Sequence, residues 1–243
     1  MEKIRISKFF TDCGVMSRRA AEAEIEKGSI KVNGIPAVLG QKIDPERDLV
    51  EYNGRRITLS REERITVMLN KPRGIVTTAS DEKGRTDVTS LCADVTDNNG
   101  DSVRLYPVGR LDMDSDGLLL MTNDGELANK LTHPRHSIPK IYHVTLAGIL
   151  DKEKISSLGS PIKIDGRLTS PVKVTTLGTE DGCTIACFEL YEGRNRQIRR
   201  MCEAAGVRIK RLSRVAIGDL HLGSLPVGRW RKLTRDEIDY LLK

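Results

Sequence analysis

Aromatic side chains make up only 4% of the 243 residues, with one Trp, three Phe and five Tyr. A core built from this chain must rest on Leu, Ile, Val and Ala. The five cysteines, Cys13, Cys92, Cys183, Cys187 and Cys202, are odd in number and scattered. They supply no disulfide framework and point to a reducing compartment. Cys183 and Cys187 share a face of the strand-like run CTIACFEL, but no second pair completes a zinc site, so they read as buried thiols. Of four His, only His133 and His136 in THPRH lie close together, and they read as surface or structural. No apolar run approaches the roughly 20 residues a membrane helix needs. Met1-Glu2-Lys3 opens straight into a charged amphipathic segment, with no signal peptide. The expectation is a cytoplasmic protein without a membrane partner. No repeat is visible.

Charge is present in excess of one sign and in one place. The formal net charge is +6, with a pI near 9.1. Residues 192–214 hold Arg194, Arg196, Arg199, Arg200, Arg208, Lys210, Arg211 and Arg214 against Glu192 and Glu203. That one segment therefore carries as much net charge as the whole chain. Charge so concentrated fits a polyphosphate ligand better than a merely solvated face.

Residues 1–60 read as a small unit. Ile6, Phe9, Phe10 and Cys13 recur at helical spacing over 3–13, and Gly14 ends the helix. Ser17 is placed to cap a second helix, Arg18 to Lys27, closed by Gly28. Strands follow at 30–32 and 49–52, with Asn33-Gly34 as a hairpin turn and Asn53-Gly54 after the second. Arg5, Lys8, Arg18, Arg19, Lys27 and Lys31 gather on these elements, interleaved with Glu22, Glu24 and Glu26. On charge alone, a solvated helix pair and a binding face are equally supported. Residues 57–64, ITLSREER, form a polar link.

The second unit, 61–243, opens with the strand 66–69, which Pro72 and Gly74 interrupt and Ile75 to Thr78 resumes. Residues 79–102 read as a loop around one short helix. A short strand, 105–108, then enters the loop 109–117, and the apolar run 118–121 leaves it as a buried strand. A helix runs from near Glu126 to about Leu131. Strands are expected at 141–146, 162–164, 172–176 and 183–190, with a short helix before the second of these. Near the end, 212–225 adds strands and Thr234 caps a last helix through Leu242. From 196 on, Ile198, Met201, Cys202 and Ala205 occupy one helix face, while Arg196, Arg199, Arg200 and Glu203 occupy the other. Such an arginine row matches phosphate geometry.

The loop 109–117, GRLDMDSDG, carries three carboxylates and admits three readings. Asp112, Asp114, Asp116 and Gly117 match the first half of a calcium loop, but the twelfth position is Asn123 where a Glu is needed, and Pro107 and Gly109 bar an entering helix. One Asp is a nucleophile or base, kept ionised by Arg110 and other cations. Or the loop is rich in Asp and Gly for turn geometry alone.

Four motifs fall in order: Leu69-Asn70-Lys71-Pro72-Arg73-Gly74, Gly109-Arg110-Leu111-Asp112, Lys140-Ile141-Tyr142-His143-Val144, and Glu192 to Met201. Together they resemble the bacterial ribosomal RNA pseudouridine synthase family, in the branch with a small N-terminal RNA-binding domain. That domain resembles one first described in a primary-binding protein of the small ribosomal subunit, on Ser17-Arg18-Arg19, Gly28 and Val32-Asn33-Gly34. The resemblance implies an α+β chain: a small αα-β RNA-binding domain (1–60), then a catalytic domain (61–243) with a mixed, mainly antiparallel sheet flanked by helices. It implies that a uridine is detached at N1, turned and rejoined through C5, without metal or cofactor. Asp112 would be the essential carboxylate, attacking C1′ or taking a proton from C2′. Arg199 would pair with it, and Tyr142 would stack on the uracil and help take the C5 proton. Arg5, Lys8, Arg18, Arg19, Lys31, Lys71, Arg110, Arg194, Arg196 and Arg200 would contact RNA, with Lys71 and Arg110 also able to support the loop. The Asn195-Arg196-Gln197 form resembles the large-subunit (23S) enzymes more than the small-subunit (16S) ones. The expected partner is ribosomal RNA, free or in a pre-ribosomal particle, and the chain is expected to act as a monomer. A non-catalytic, ribosome-associated RNA binder is the alternative.

Overall fold

The computed structural model describes residues 3–58, 63–78, 84–133 and 138–243. His136, part of the loop 79–102 and part of the link 57–64 lie outside them. The chain divides into two compact units.

One unit holds the described residues up to Ile65, with Thr96–Arg104 and Asn123–Gly125. Its elements are β1 (Ile4–Arg5), α1 (Ile6–Asp12), α2 (Arg18–Glu26), β2 (Ile30–Val32), β3 (Ile35–Pro36), β4 (Lys42–Ile43), β5 (Val50–Tyr52) and β6 (Arg55–Ile57). α1 begins later than its periodicity predicts, because Ile4 and Arg5 pair with Ile43 and Lys42. Ser17 caps α2 by accepting from the Ala20 N–H. Asn33 and Gly34 both take positive φ, 53° and 81°, the geometry that joins β2 to β3 in a tight hairpin. Asn53 and Gly54 do the same for β5 and β6, a strand that ends where the polar link begins. The four strands order as β3-β2-β5-β6. Ile6, Phe9, Phe10, Ile25, Ile30 and Val50 pack as the core, so two of the three phenylalanines are used in this small unit.

The other unit contains β7 (Thr66–Lys71), a 3-10 turn (Ser90–Cys92), β8 (Tyr106–Val108), β9 (Asp116–Thr122), α3 (Gly125–Thr132), β10 (Lys140–Ala147), α4 (Lys152–Leu158), β11 (Lys163–Ile164), β12 (Arg167–Leu168), β13 (Lys173–Glu180), β14 (Cys183–Leu190), α5 (Gln197–Ala204), β15 (Ile209–Ile217), β16 (Leu220–His221), β17 (Trp230–Lys232) and α6 (Arg235–Leu241). Its main sheet runs β13-β14-β10-β15-β9-β7-β17, with β16 on β15 and β8 on β9. The pairings are antiparallel except β15 with β9. The mixed, mainly antiparallel α+β architecture agrees with the sequence. One local expectation does not hold. Residues 75–78 form a single bridge, Val76 to Asp87, instead of a strand, because Thr77 turns its hydroxyl to the Leu111 carbonyl. The single Trp, Trp230, sits in β17 against Leu69, and its indole N–H donates to Asp94.

α5 presses Ile198, Met201 and Cys202 onto Val144, Phe188 and Leu212. Each fully buried side chain of this size contributes about 1.5–3 kcal/mol, which fixes the arginine-bearing side of the helix relative to the sheet. A second core joins Leu118 and Leu120 of β9 to Leu127 and Leu131 of α3.

Candidate active site

The loop 109–117 is tied from behind. Lys71, at the end of β7, is fully buried, and its ammonium donates to the carbonyls of Pro72, Asp112 and Ser115 at 3.0, 3.1 and 2.9 Å. Thr77 donates to the Leu111 carbonyl at 2.7 Å, and the Gly74 N–H donates to the Met113 carbonyl. The broken strand at Pro72 and Gly74 thus provides a cradle for the Asp loop. Burial, opposed by the nearby carboxylates of Asp116, Asp112 and Asp114, brings the pKa of the Lys71 ammonium down to about 8. Lys71 is therefore not available to RNA, contrary to one of its two expected roles. Its charge is used inside the protein, where a buried ammonium needs every proton bonded.

Three carboxylates leave the loop toward different partners. Asp116, buried, accepts from Arg211 at 3.1 and 3.3 Å and from the Ser213 hydroxyl. Asp114 takes Arg196 and Arg199, the latter at 3.1 Å. Asp112 lies 3.3 Å from Arg196 Nη1 and 3.6 Å from Arg199 Nε. Arg199 is itself anchored through Nη2 to the Asp114 carbonyl and the Ser115 hydroxyl. This divergence onto guanidinium groups is unlike a calcium shell, where carboxylates converge on one point.

Arg196 departs from its expected place. It is the N-cap of α5 in the left-handed region, φ 51°, and so stands outside the helical row of Arg199, Arg200 and Glu203. From there its side chain reaches back to Asp112 and Asp114. Arg194 also departs from the expectation that it faces RNA. It clips the β11–β12 hairpin through the Arg167 and Leu168 carbonyls and pairs with Glu192. Arg200 pairs with Asp165 at 3.0 Å.

Asp112, Arg110, Tyr142 and Arg196 line one cavity with Leu190 and Leu212 and a larger one of about 400 Å³ with Lys140, Arg214 and Leu120. Tyr142 on β10 is the Cα partner of Arg214 on β15, so the two side chains leave the sheet on one face. Arg110 is exposed, after Gly109 with φ 74°. The arrangement is a carboxylate between two guanidiniums at the wall of a cavity with an aromatic residue beside it. Such a cavity has the shape and lining to take a flat, polar ring beside a carboxylate. Sequence reading gave no role to Arg214, which is buried; it is one of eight cations in the segment 192–214, and nothing in the pattern distinguished it.

A family model described as RNA pseudouridylate synthase matches residues 65–204. The chain belongs to the RNA pseudouridine synthase family. It is an isomerase that acts on RNA. Among similar family members, the ribosomal large subunit pseudouridine synthase B of Bacillus subtilis is 40% identical, over 98% of this chain and 95% of that protein. An uncharacterized RNA pseudouridine synthase of Aquifex aeolicus is 37% identical, over 100% and 95%. The dual-specificity RNA pseudouridine synthase RluF of Shigella flexneri is 37% identical, over 99% and 79%. A solved pseudouridylate synthase crystal structure superposes with a TM-score of 0.67 at 31% identity, covering 98% of this chain and 99% of that one. The match to the family spans the cradle, the Asp loop, β10 and all of α5.

Proposed function

We propose that this pseudouridine synthase isomerises a uridine of large-subunit ribosomal RNA, with the Asp112 carboxylate as its essential group and no metal or cofactor. The observation that carries the reading is the position of Asp112, 3.3 and 3.6 Å from Arg196 and Arg199 and on the wall of the cavity that Tyr142 shares. A nucleophile at C1′ or a base at C2′ acts as the carboxylate anion, and two guanidiniums stand beside it to balance that charge. Tyr142 supplies a flat face for the uracil. The target uridine must leave its stack, at a cost of a few kcal/mol, and RNA contacts by Arg110, Arg200 and the cations of the first unit offset that cost. Residues 1–60 act in this scheme as the RNA-binding domain, through Arg5, Lys8, Arg18, Arg19 and Lys31. Large-subunit RNA is favoured by the Asn195-Arg196-Gln197 motif and by the name of the Bacillus subtilis relative. The protein works as a cytoplasmic monomer. Among the described residues no helix is long and apolar enough to cross a membrane.

The decisive experiment is Asp112→Asn. The uncharged isostere is expected to lower kcat by at least about ten-thousandfold, as loss of a nucleophile does, with RNA affinity kept. Pseudouridine formation at the normal rate would remove Asp112 from the mechanism. A wild-type protein that binds ribosomal RNA but leaves every uridine unchanged would make it a binder alone. Mapping pseudouridines in both ribosomal RNAs from cells with and without the protein decides between 23S and 16S.

A further inference from the structure

Among the described residues, two cations in the larger cavity have no carboxylate to balance them. β9 presents one edge to two neighbours in turn: Asp116 and Gly117 pair with β15, and Leu120 to Thr122 pair with β8. Between them the Leu118 carbonyl is taken by a side chain, Arg214 Nε at 2.7 Å. Arg214 is buried, 5% exposed, and its Nη2 is an enclosed donor with no acceptor among the described residues. Lys140, at the start of β10, lines the same cavity. Burial first, and then the charge of Arg214, hold the Lys140 ammonium below the usual lysine range. Two like charges brought together in a partly apolar hole favour an anion between them.

We propose that Lys140 and Arg214 bind the detached uracil ring as its anion, stabilising the leaving group of the reaction. The inference rests on the reading of Asp112 above. When the N1–C1′ bond breaks, its electron pair stays on the ring and spreads over N1, O2 and O4. C1′ is then bonded to an Asp112 oxygen, or joined to C2′ by a double bond if Asp112 has taken the C2′ proton. After the ring turns, C5 supplies the pair for the new bond to C1′. Asp112 departs with its own pair, or returns the proton to C2′. The C5 proton is lost and N1 gains one, so nothing is oxidised or reduced. Between the two bond events the ring carries a full negative charge, and fixed cations aimed at it act where charge develops.

The geometry favours the ring over a backbone phosphate. Arg214 shares its sheet face with Tyr142, the expected stacking partner. The walls include Val108, Leu120, Leu131 and Ile217, which suit a planar base better than a hydrated phosphate with chain leaving on both sides. The cations proposed above to meet the RNA backbone, Arg110 and Arg200, are by contrast exposed or half-exposed.

The test compares in vitro transcribed ribosomal RNA containing uridine with the same RNA containing 5-fluorouridine, following loss of each nucleoside under single-turnover conditions by mass spectrometry. Fluorine makes the ring a more stable anion, so it needs less help to leave. Arg214→Gln is expected to slow uridine conversion about a hundredfold and Lys140→Gln about tenfold, in the range found when one preorganised donor is removed. Both deficits, taken against wild type on the same RNA, shrink severalfold on the fluorinated RNA, and the Kd for RNA is unchanged. Equal deficits on the two RNAs overturn the proposal. So does a loss confined to Kd with a shallower salt dependence, which would assign the pair to phosphate. Should circular dichroism show Arg214→Gln unfolded, Lys140→Gln carries the same comparison. A wild type inactive on both RNAs condemns the Asp112 reading beneath. An active wild type matched in rate by both variants condemns only the clamp.

Discussion

Two groups of cations, one in each unit, are held in opposite ways. In the catalytic unit Lys71, Arg194, Arg196, Arg199 and Arg211 each donate to named carbonyls or carboxylates. In the N-terminal unit Lys8 pairs with Asp12 and Lys27 with Glu24, but Arg18, Arg19 and Lys31 are exposed and, among the described residues, meet no carboxylate. The first arrangement fixes charge before substrate arrives, which is what a reacting centre needs. The second leaves charge free for an anionic partner, where attraction depends on salt. Sequence alone shows both as similar runs of Arg and Lys.

The two regions should differ most sharply in what a single methyl group does to their turns. Gly117 has φ 107°, and a Cβ there would meet the Arg214 carbonyl oxygen at 2.2 Å. That close approach allows β9 to run beside β15 where the Asp loop ends. Gly117→Ala combines an overpacked backbone with a strained φ, and about 3 kcal/mol or more of stability is expected to go. Gly34 has φ 81° in the N-terminal hairpin, but a Cβ there meets nothing within 4 Å. Gly34→Ala should cost about 1–2 kcal/mol, the left-handed penalty alone. Urea unfolding of the two variants checks the ratio, and equal destabilisation would mean that the β9–β15 approach relaxes freely.

Lys71 is the next largest effect. Lys71→Met leaves three carbonyls without their donor, and kcat is expected to fall about a hundredfold as the Asp112 loop loosens, at about 1–3 kcal/mol for each buried group stranded. The pH behaviour has two opposite signs. With a folded value of about 8 and an unfolded value near 10.4, the unfolded chain holds more protons between these limits. The contribution of Lys71 to stability therefore rises with pH from about 8 to about 10 and is least below 8. Activity should run the other way, because a neutral amine keeps two N–H groups for three carbonyls. The wild-type kcat is expected to fall above pH 8, and the residual activity of Lys71→Met should lack that limb. A wild-type profile flat to pH 10 would show that the ammonium does not hold the loop.

Much of the fold was legible because local rules fixed it. Ser17 caps α2, Thr234 caps α6 with Glu237 completing the box, and Asn33-Gly34 makes its hairpin. The apolar run 118–121 marked β9, and the spacing of Ile198, Met201 and Cys202 marked the packed face of α5. The motifs also placed Asp112, Tyr142 and Arg199, which the structure brings to one neighbourhood. What was not legible depends on long-range contact. β1 and β4 are two-residue strands defined only by each other. Arg196 reaches Asp112 through a left-handed backbone that its sequence does not announce. Lys71 is indistinguishable in sequence from a surface lysine, and only burial makes it a tie. Arg214 is one of eight cations in a run, set apart by the gap in the edge of β9.

The smallest effect belongs to the free cations, and it isolates their role. Reversing both Arg18 and Arg19 to Glu touches no hydrogen bond of α2, whose cap is the Ser17 hydroxyl. Stability should therefore change by no more than about 0.5 kcal/mol. If these residues bind phosphates, the Kd for ribosomal RNA rises about tenfold near 0.1 M salt, and the slope of log Kd against log salt falls by about two, one for each phosphate released. Single-turnover kcat at saturating RNA stays at the wild-type value, because the charges that shape Asp112 belong to other residues. A variant that lowers kcat with Kd unchanged would overturn the division between free and fixed cations, since it would give an exposed pair of the first unit a part in the chemical step.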